Sequence, residues 1–252
     1  MIRRLPSLPA MARAILPILF LLMSSGCMTV AEKEHIEALP MYGQPELQRP
    51  EFLVWEHNTF VSQETKRHDG DRRRASRTWV GRGMQALGFG DIDGAMRQFN
   101  RAWLLDEENY QVYWGFAQVS VLRNQYQAAA GQLDRALALV DDPFQKPALL
   151  TDRGTAASLV AVQYPLQDRH RREGFEVARH HFRLALQLDP GYLPLWEAWA
   201  RACYREGAYV EAWEKIQQAR QRGARRISAE FVSALSEKLR RPASVVGGEE
   251  SR

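Results

Sequence analysis

From about residue 76 onward the apolar positions recur at helical spacing, with small and large residues in a fixed order along the stripe. Ala–x–x–x–large–x–x–Ala triplets stand at Ala95–Phe99–Ala102, Ala129–Leu133–Ala136, Ala178–Phe182–Ala185 and Ala212–Ile216–Ala219. Positions four and seven residues after the first alanine share one face of a helix. The alanines let a second helix approach closely, and the large residue fills the space between them. The leading alanines are 34, 49 and 34 residues apart. Sixteen residues upstream of three of them stands an aromatic, Trp79, Tyr113 or Trp196, with Gly83, Ala117 or Ala200 four residues later. Turn-forming stretches, Gly88-Phe89-Gly90-Asp91 and Glu206-Gly207-Ala208, separate the apolar segments, and Pro190 stops the third unit's second helix. The pattern predicts antiparallel helix pairs that bury their apolar faces only by stacking on neighbouring pairs.

This order of large, small, Ala, Phe, Ala resembles the tetratricopeptide repeat. The resemblance covers residues 76–226 and implies an all-α fold: a right-handed α-solenoid of about four helix-turn-helix units. The chain departs from the family pattern at Arg82, where an apolar residue is usual, and at Glu107 and Asp141, which stand in place of the closing proline. The third unit is interrupted. Its first helix fits 147–162, with Leu150 in the large position and Gly154 in the small one. The excess of 49 over 34 falls in a segment from Tyr164 to Arg172, containing Pro165 and the basic run Arg169–Arg172, and in the loop near Pro143. A last amphipathic stretch, 227–240, carries Phe231, Leu235 and Leu239 on one stripe and reads as a helix capping the final repeat.

In the family, the first helix of each unit lines the concave face. By register the resemblance places there Val80, Met84 and Leu87 from unit one, and Gln111, Trp114, Gln118 and Leu122 from unit two. Thr151, Thr155 and Ser158 follow from unit three, then Glu197, Arg201, Tyr204 and Arg205 from unit four. Such a groove is apolar at one end, polar in the middle, and basic with an aromatic at the other. Trp114, Tyr204 and the arginines have the chemistry of interface anchors. The expected partner is a protein, bound through an extended segment with an apolar stretch and a carboxylate. Family members that clamp chaperone tails use lysine and asparagine. Val80, Trp114 and Thr151 occupy the lysine positions here, so that specialised role is not expected.

The first thirty residues bear on address. Arg3, Arg4 and Arg13 precede an apolar run, Ala14 to Met23, and then Ser24-Ser25-Gly26-Cys27. This order describes a secretory signal, and the apolar run is too short to span a bilayer. Cys27 resembles a bacterial lipoprotein cleavage site, although Ser24 stands where that pattern prefers leucine. Removal of residues 1–26, lipidation at Cys27 and an outer-membrane location facing the periplasm are then implied. Met11 is an alternative start that leaves the same mature chain. The full chain has 34 basic and 30 acidic residues; loss of the three arginines leaves a net charge of +1. That value gives no ground for a nucleic-acid partner.

Residues 27–75 read as a tether holding Pro40, Gly43, Pro45 and Pro50, with one short helix over 51–64 and a basic stretch from Lys66 to Arg77. Residues 241–252 read as a tail poor in order-forming residues. Cys203 is left without a partner and is expected as a buried space-filler. Glu176 and His180 have a metal-compatible spacing. No further ligand cluster, phosphate loop or nucleophile motif accompanies them. The chain is therefore read as a non-enzymatic adaptor without cofactor or metal. The rival readings are an accessory enzyme, metal-dependent or hydrolytic, built on the third-unit insertion with His170, Glu176 and His180, and a periplasmic inhibitor or immunity protein.

Overall fold

All four triplets are buried in the computed structural model. Ala95, Phe99, Ala102, Ala129, Ala136, Ala178, Phe182, Ala185 and Ala212 are fully enclosed, and Leu133, Ile216 and Ala219 nearly so. The structure describes residues 29–41, 50–224, 227–240 and Pro242. The expected signal segment, Cys27 and nearly all of the expected tail lie outside the described residues, as do 42–49. The described residues form helices and connecting turns, with no strand among them.

The chain divides into two units, Met1–Ala38 and Leu39–Arg252. The first holds one described helix, α1 (Val30–Glu37). A reciprocal cap starts it: Thr29 Oγ1 accepts from the Glu32 N–H, and the Glu32 carboxylate accepts from the Thr29 N–H.

The second unit opens with α2 (Glu51–Arg67). Four helix pairs follow: α3 (Arg72–Gly88) with α4 (Ile92–Leu105), α5 (Tyr110–Leu122) with α6 (Tyr126–Leu139), α7 (Lys146–Ala161) with α8 (Arg169–Leu188), and α9 (Pro194–Glu206) with α10 (Tyr209–Gln221). α11 (Ala229–Lys238) packs Phe231 and Leu235 against the last pair. Each first helix also packs on the first helix of a neighbouring pair, so the stack is an all-α solenoid.

Local chemistry sets the element ends. Asp91, Asp168 and Ser228 cap their helices by accepting backbone N–H groups. Gly207 closes α9 at φ 96°, a left-handed conformation that glycine adopts without strain. Close approach explains the small residues. A Cβ on Gly83 or on Gly115 would sit 2.4 Å from the Phe99 ring, so that ring is held between α3 and α5.

Three features differ from the sequence expectation. The insertion in the third unit is not a separate segment through Arg172: α8 begins at Arg169 and runs 20 residues. Its stripe extends upstream through Phe175, and the lack of a side chain at Gly174 lets α8 lie against Ala161 of α7. The stretch expected as a tether with one short helix over 51–64 carries two helices; the expected one, α2, runs on to Arg67 and buries Leu53 fully. Beyond α1, Leu39 to Met41 dock on α4: Asn100 Nδ2 donates to the Leu39 carbonyl and Asn100 Oδ1 accepts from the Met41 N–H, both at 2.8 Å.

The basic start of α3 is likewise used internally. Arg72 donates from Nε to the Leu105 carbonyl at 2.9 Å and from Nη2 to the Leu104 carbonyl at 2.8 Å, satisfying the open end of α4. Nearby, Glu64 of α2 is 3% exposed and accepts from Trp79 Nε1 at 2.9 Å and from Arg67 at 2.6 Å. Burial alone would raise its pKa, but these donors and the Arg67 charge outweigh burial and hold it below the usual carboxylate value.

Candidate functional site

The first helices α3, α5 and α7 converge on a recess of about 320 Å³. Leu87 contributes from α3, Trp114, Gln118, Val121 and Leu122 from α5, and Thr155 and Asp152 from α7, with Leu133 of α6 behind them. Of the concave-face residues expected from register, Leu87, Trp114, Gln118, Leu122 and Thr155 thus share one depression. Leu122 is 53% exposed at its lip. Met84 is half-buried against the core, and Gln111 lies lower on α5 in a polar hollow with Arg73, Arg77 and Asp142.

Val80 is corrected by the structure. It is 6% exposed and belongs to the hydrophobic core, so it offers no surface to a ligand. Thr151 and Ser158 are buried too: Thr151 Oγ1 donates to the Pro147 carbonyl, and Ser158 Oγ donates to the Thr155 carbonyl. The position after Thr151 reaches the recess instead, because one residue turns a helix by about 100°.

That residue, Asp152, is the site's least expected member. Its Oδ2 accepts from Trp114 Nε1 at 2.7 Å. No cationic side chain lies within 4.0 Å of it among the described residues. The adjacent Arg153 grips Asp134 from Nε and Nη2 at 2.6 and 3.1 Å. Burial raises the Asp152 pKa above the ordinary carboxylate value, against the lowering effect of the Trp114 hydrogen bond. The phenol of Tyr192 is also held up, first by its own burial and then by the Asp152 charge.

The fourth unit is more occupied than its register implies. Arg201 is bound to Glu197 at 2.7 Å and lies 4.5 Å over the Phe231 ring of α11. Tyr204 meets the same ring edge-on at 5.8 Å. Arg205 is different: Nη1 donates to Ser158 Oγ at 3.1 Å, and no carboxylate lies within 4.0 Å of it among the described residues. Burial, and secondarily the Arg201 charge, lower its pKa. Among the described residues, Asp152 thus has no cation within 4.0 Å and Arg205 has no carboxylate within 4.0 Å.

Chemistry elsewhere is engaged structurally. Glu176 is bound by Arg179 at 3.0 Å, and Arg179 also pairs with Glu206, tying α8 to α9. No group of three His, Cys, Asp or Glu converges as a metal site among the described residues. Cys203 is 2% exposed, and burial, the leading cause, pushes its thiol pKa to about 12.

No protein-family model and no curated protein matches the chain. Two crystal structures of MamA are similar to it. One is 14% identical, with 83% of this chain and 99% of that chain covered and a TM-score of 0.45. The other is 16% identical, with 66% and 91% covered and a TM-score of 0.44. The registered helix pairs, their buried triplets and the terminal helix define an all-α solenoid of stacked helix pairs.

Proposed function

We propose that the protein is a non-enzymatic adaptor that holds another protein along the concave face of its helix pairs. The observation that carries this reading is the recess between α3, α5 and α7, where an indole, an exposed leucine and apolar walls surround one polar contact. An amphipathic lining of this kind favours a protein segment over a metabolite demanding many fixed polar contacts. The uncompensated Arg205 at the other end of the groove suits a carboxylate of the same segment.

The setting belongs to the same proposal. With the signal removed and Cys27 acylated, the solenoid stands on the periplasmic side of the outer membrane and binds an envelope protein engaged in assembly, secretion or wall remodelling. Cys27→Ser then releases the chain from the membrane fraction; retention in that fraction refutes the anchor while leaving the groove untouched.

The groove is tested by quantitative mass spectrometry of proteins captured from detergent-solubilised envelopes. Leu122→Lys places a positive charge at the exposed lip and is expected to remove specific partners. Phe144→Lys, at a residue 87% exposed in the loop before α7, is expected to leave them. Identical lists from wild type and Leu122→Lys would refute the concave-face reading.

A further inference from the structure

We infer that the recess at Trp114 and Asp152 seats one lysine or arginine side chain of the bound protein, with Asp152 as its counter-ion. The inference rests on the concave-face reading and adds the chemistry of its central contact. A carboxylate can accept about four hydrogen bonds, and among the described residues Asp152 has a single donor, Trp114 Nε1. A half-buried carboxylate left without a cation is costly, and raising its pKa is the usual sign of that cost. Among the described residues no side chain supplies the missing charge: Arg153 is turned to Asp134, Arg205 bonds Ser158, and Arg201 is held by Glu197. The Trp114 indole donates to Asp152 and the Tyr192 phenol feels its charge, and neither group is cationic.

The walls fit the rest of such a side chain. Leu87, Val121, Leu122 and Leu133 offer apolar surface to the methylene stem of a lysine or arginine, whose charged head needs only one polar terminus. The Trp114 ring adds a face that attracts a cation. A neutral apolar side chain would fill the recess equally well in shape, yet would shut Asp152 away from water without a partner. An acidic side chain would add repulsion. Charge complementarity therefore selects the occupant.

The probes are n-hexylammonium and n-butylguanidinium chloride, with n-hexanol as the uncharged control. The protein is labelled with 5-fluorotryptophan, and the Trp114 fluorine resonance is assigned by its disappearance in Trp114→Phe. Both cations are expected to move that resonance saturably, and n-hexanol to bind roughly tenfold or more weakly. Asp152→Asn keeps an acceptor for the indole N–H while removing the charge. In a sample whose other tryptophan resonances are unchanged, it is expected to weaken both cations by about tenfold or more and leave n-hexanol unaffected. Equal binding of n-hexanol and the cations, no saturable response, or unchanged cation affinity in Asp152→Asn would each overturn the assignment. Partner capture separates this failure from that of the underlying reading. Loss of partners in Leu122→Lys with retention in Asp152→Asn refutes the cation seat alone; retention in both refutes the groove.

Discussion

Gly81 and Gly83 are two residues apart on α3, and alanine at each should change stability in opposite directions. At Gly81 an added methyl meets nothing within 4 Å, so Gly81→Ala gains helix propensity alone, about 0.5–1 kcal/mol. At Gly83 the same methyl would lie 2.4, 2.7 and 2.8 Å from three carbons of Phe99, whereas carbon atoms pack at about 3.5–4.0 Å. The ring must therefore retreat by about 1 Å. It has no free direction, because Phe99 is fully buried and a Cβ on Gly115 of α5 would also stand 2.4 Å from it. Overpacking of this kind costs about 1–3 kcal/mol, enough to outweigh the propensity gain. For a domain of this size each kcal/mol moves Tm by about 2–4 °C. Thermal melts by circular dichroism should thus show Gly81→Ala a few degrees above wild type and Gly83→Ala below it. Phe99→Leu should lose stability alone yet cost less in the Gly83→Ala background, a coupling of about 0.5–3 kcal/mol. If Gly81→Ala and Gly83→Ala melt alike, the ring is not wedged between the first helices and the packing argument fails.

Three further outcomes follow from particular contacts. Because burial raises the Asp152 pKa, the folded state holds that proton more tightly, so stability falls as pH rises from the ordinary carboxylate range through the raised value. Asp152→Asn should therefore melt higher than wild type at pH 7, with the difference vanishing at acid pH; an equal or lower Tm at pH 7 would contradict this. Cys203, its thiol pKa pushed to about 12, should resist iodoacetamide in folded Cys27→Ser protein and react only on unfolding. Rapid labelling at native conditions would place the thiol at the surface. Asn100→Ala removes both hydrogen bonds to Leu39 and Met41 and should speed amide exchange of Met41 by roughly tenfold or more. Unchanged exchange would mean that other contacts hold the segment.

Architecture was legible in the sequence because it rests on residues that interact locally. The Ala95, Ala129, Ala178 and Ala212 triplets lie on single helices, so their spacing reports the stripe directly. The start of the third unit's second helix is masked in the sequence because Pro165 and the basic run dominate the composition around Tyr164–Arg172. Asp168 capping and the buried Phe175 nevertheless start α8 at Arg169. The α2 helix is legible from Leu53, Phe60 and Val61, but the burial of Glu64 is not. Glu64 reads as a solvated charge until Trp79 and Arg67 are placed beside it, and those partners come from the fold.

The candidate site was legible in part for the same reason. Leu87, Trp114, Gln118, Leu122 and Thr155 follow from repeat register and share one recess. Val80 fails because the register gives a direction on the helix and not the neighbours that cover it. Asp152 was missed because its position in the recess depends on the rotation of α7. Its significance, a carboxylate without a cation, depends on where Arg153 and Arg205 spend their own hydrogen bonds.

The most direct test is site-specific photocrosslinking in living cells. A benzoylphenylalanine placed at Leu122 samples the lip of the recess, and the same group at Phe144 or Leu188 samples exposed positions outside it. A discrete protein adduct from Leu122 that is absent from Phe144 and Leu188 is the expected result. Adducts from the two control positions, with none from Leu122, would contradict a partner held in the concave groove.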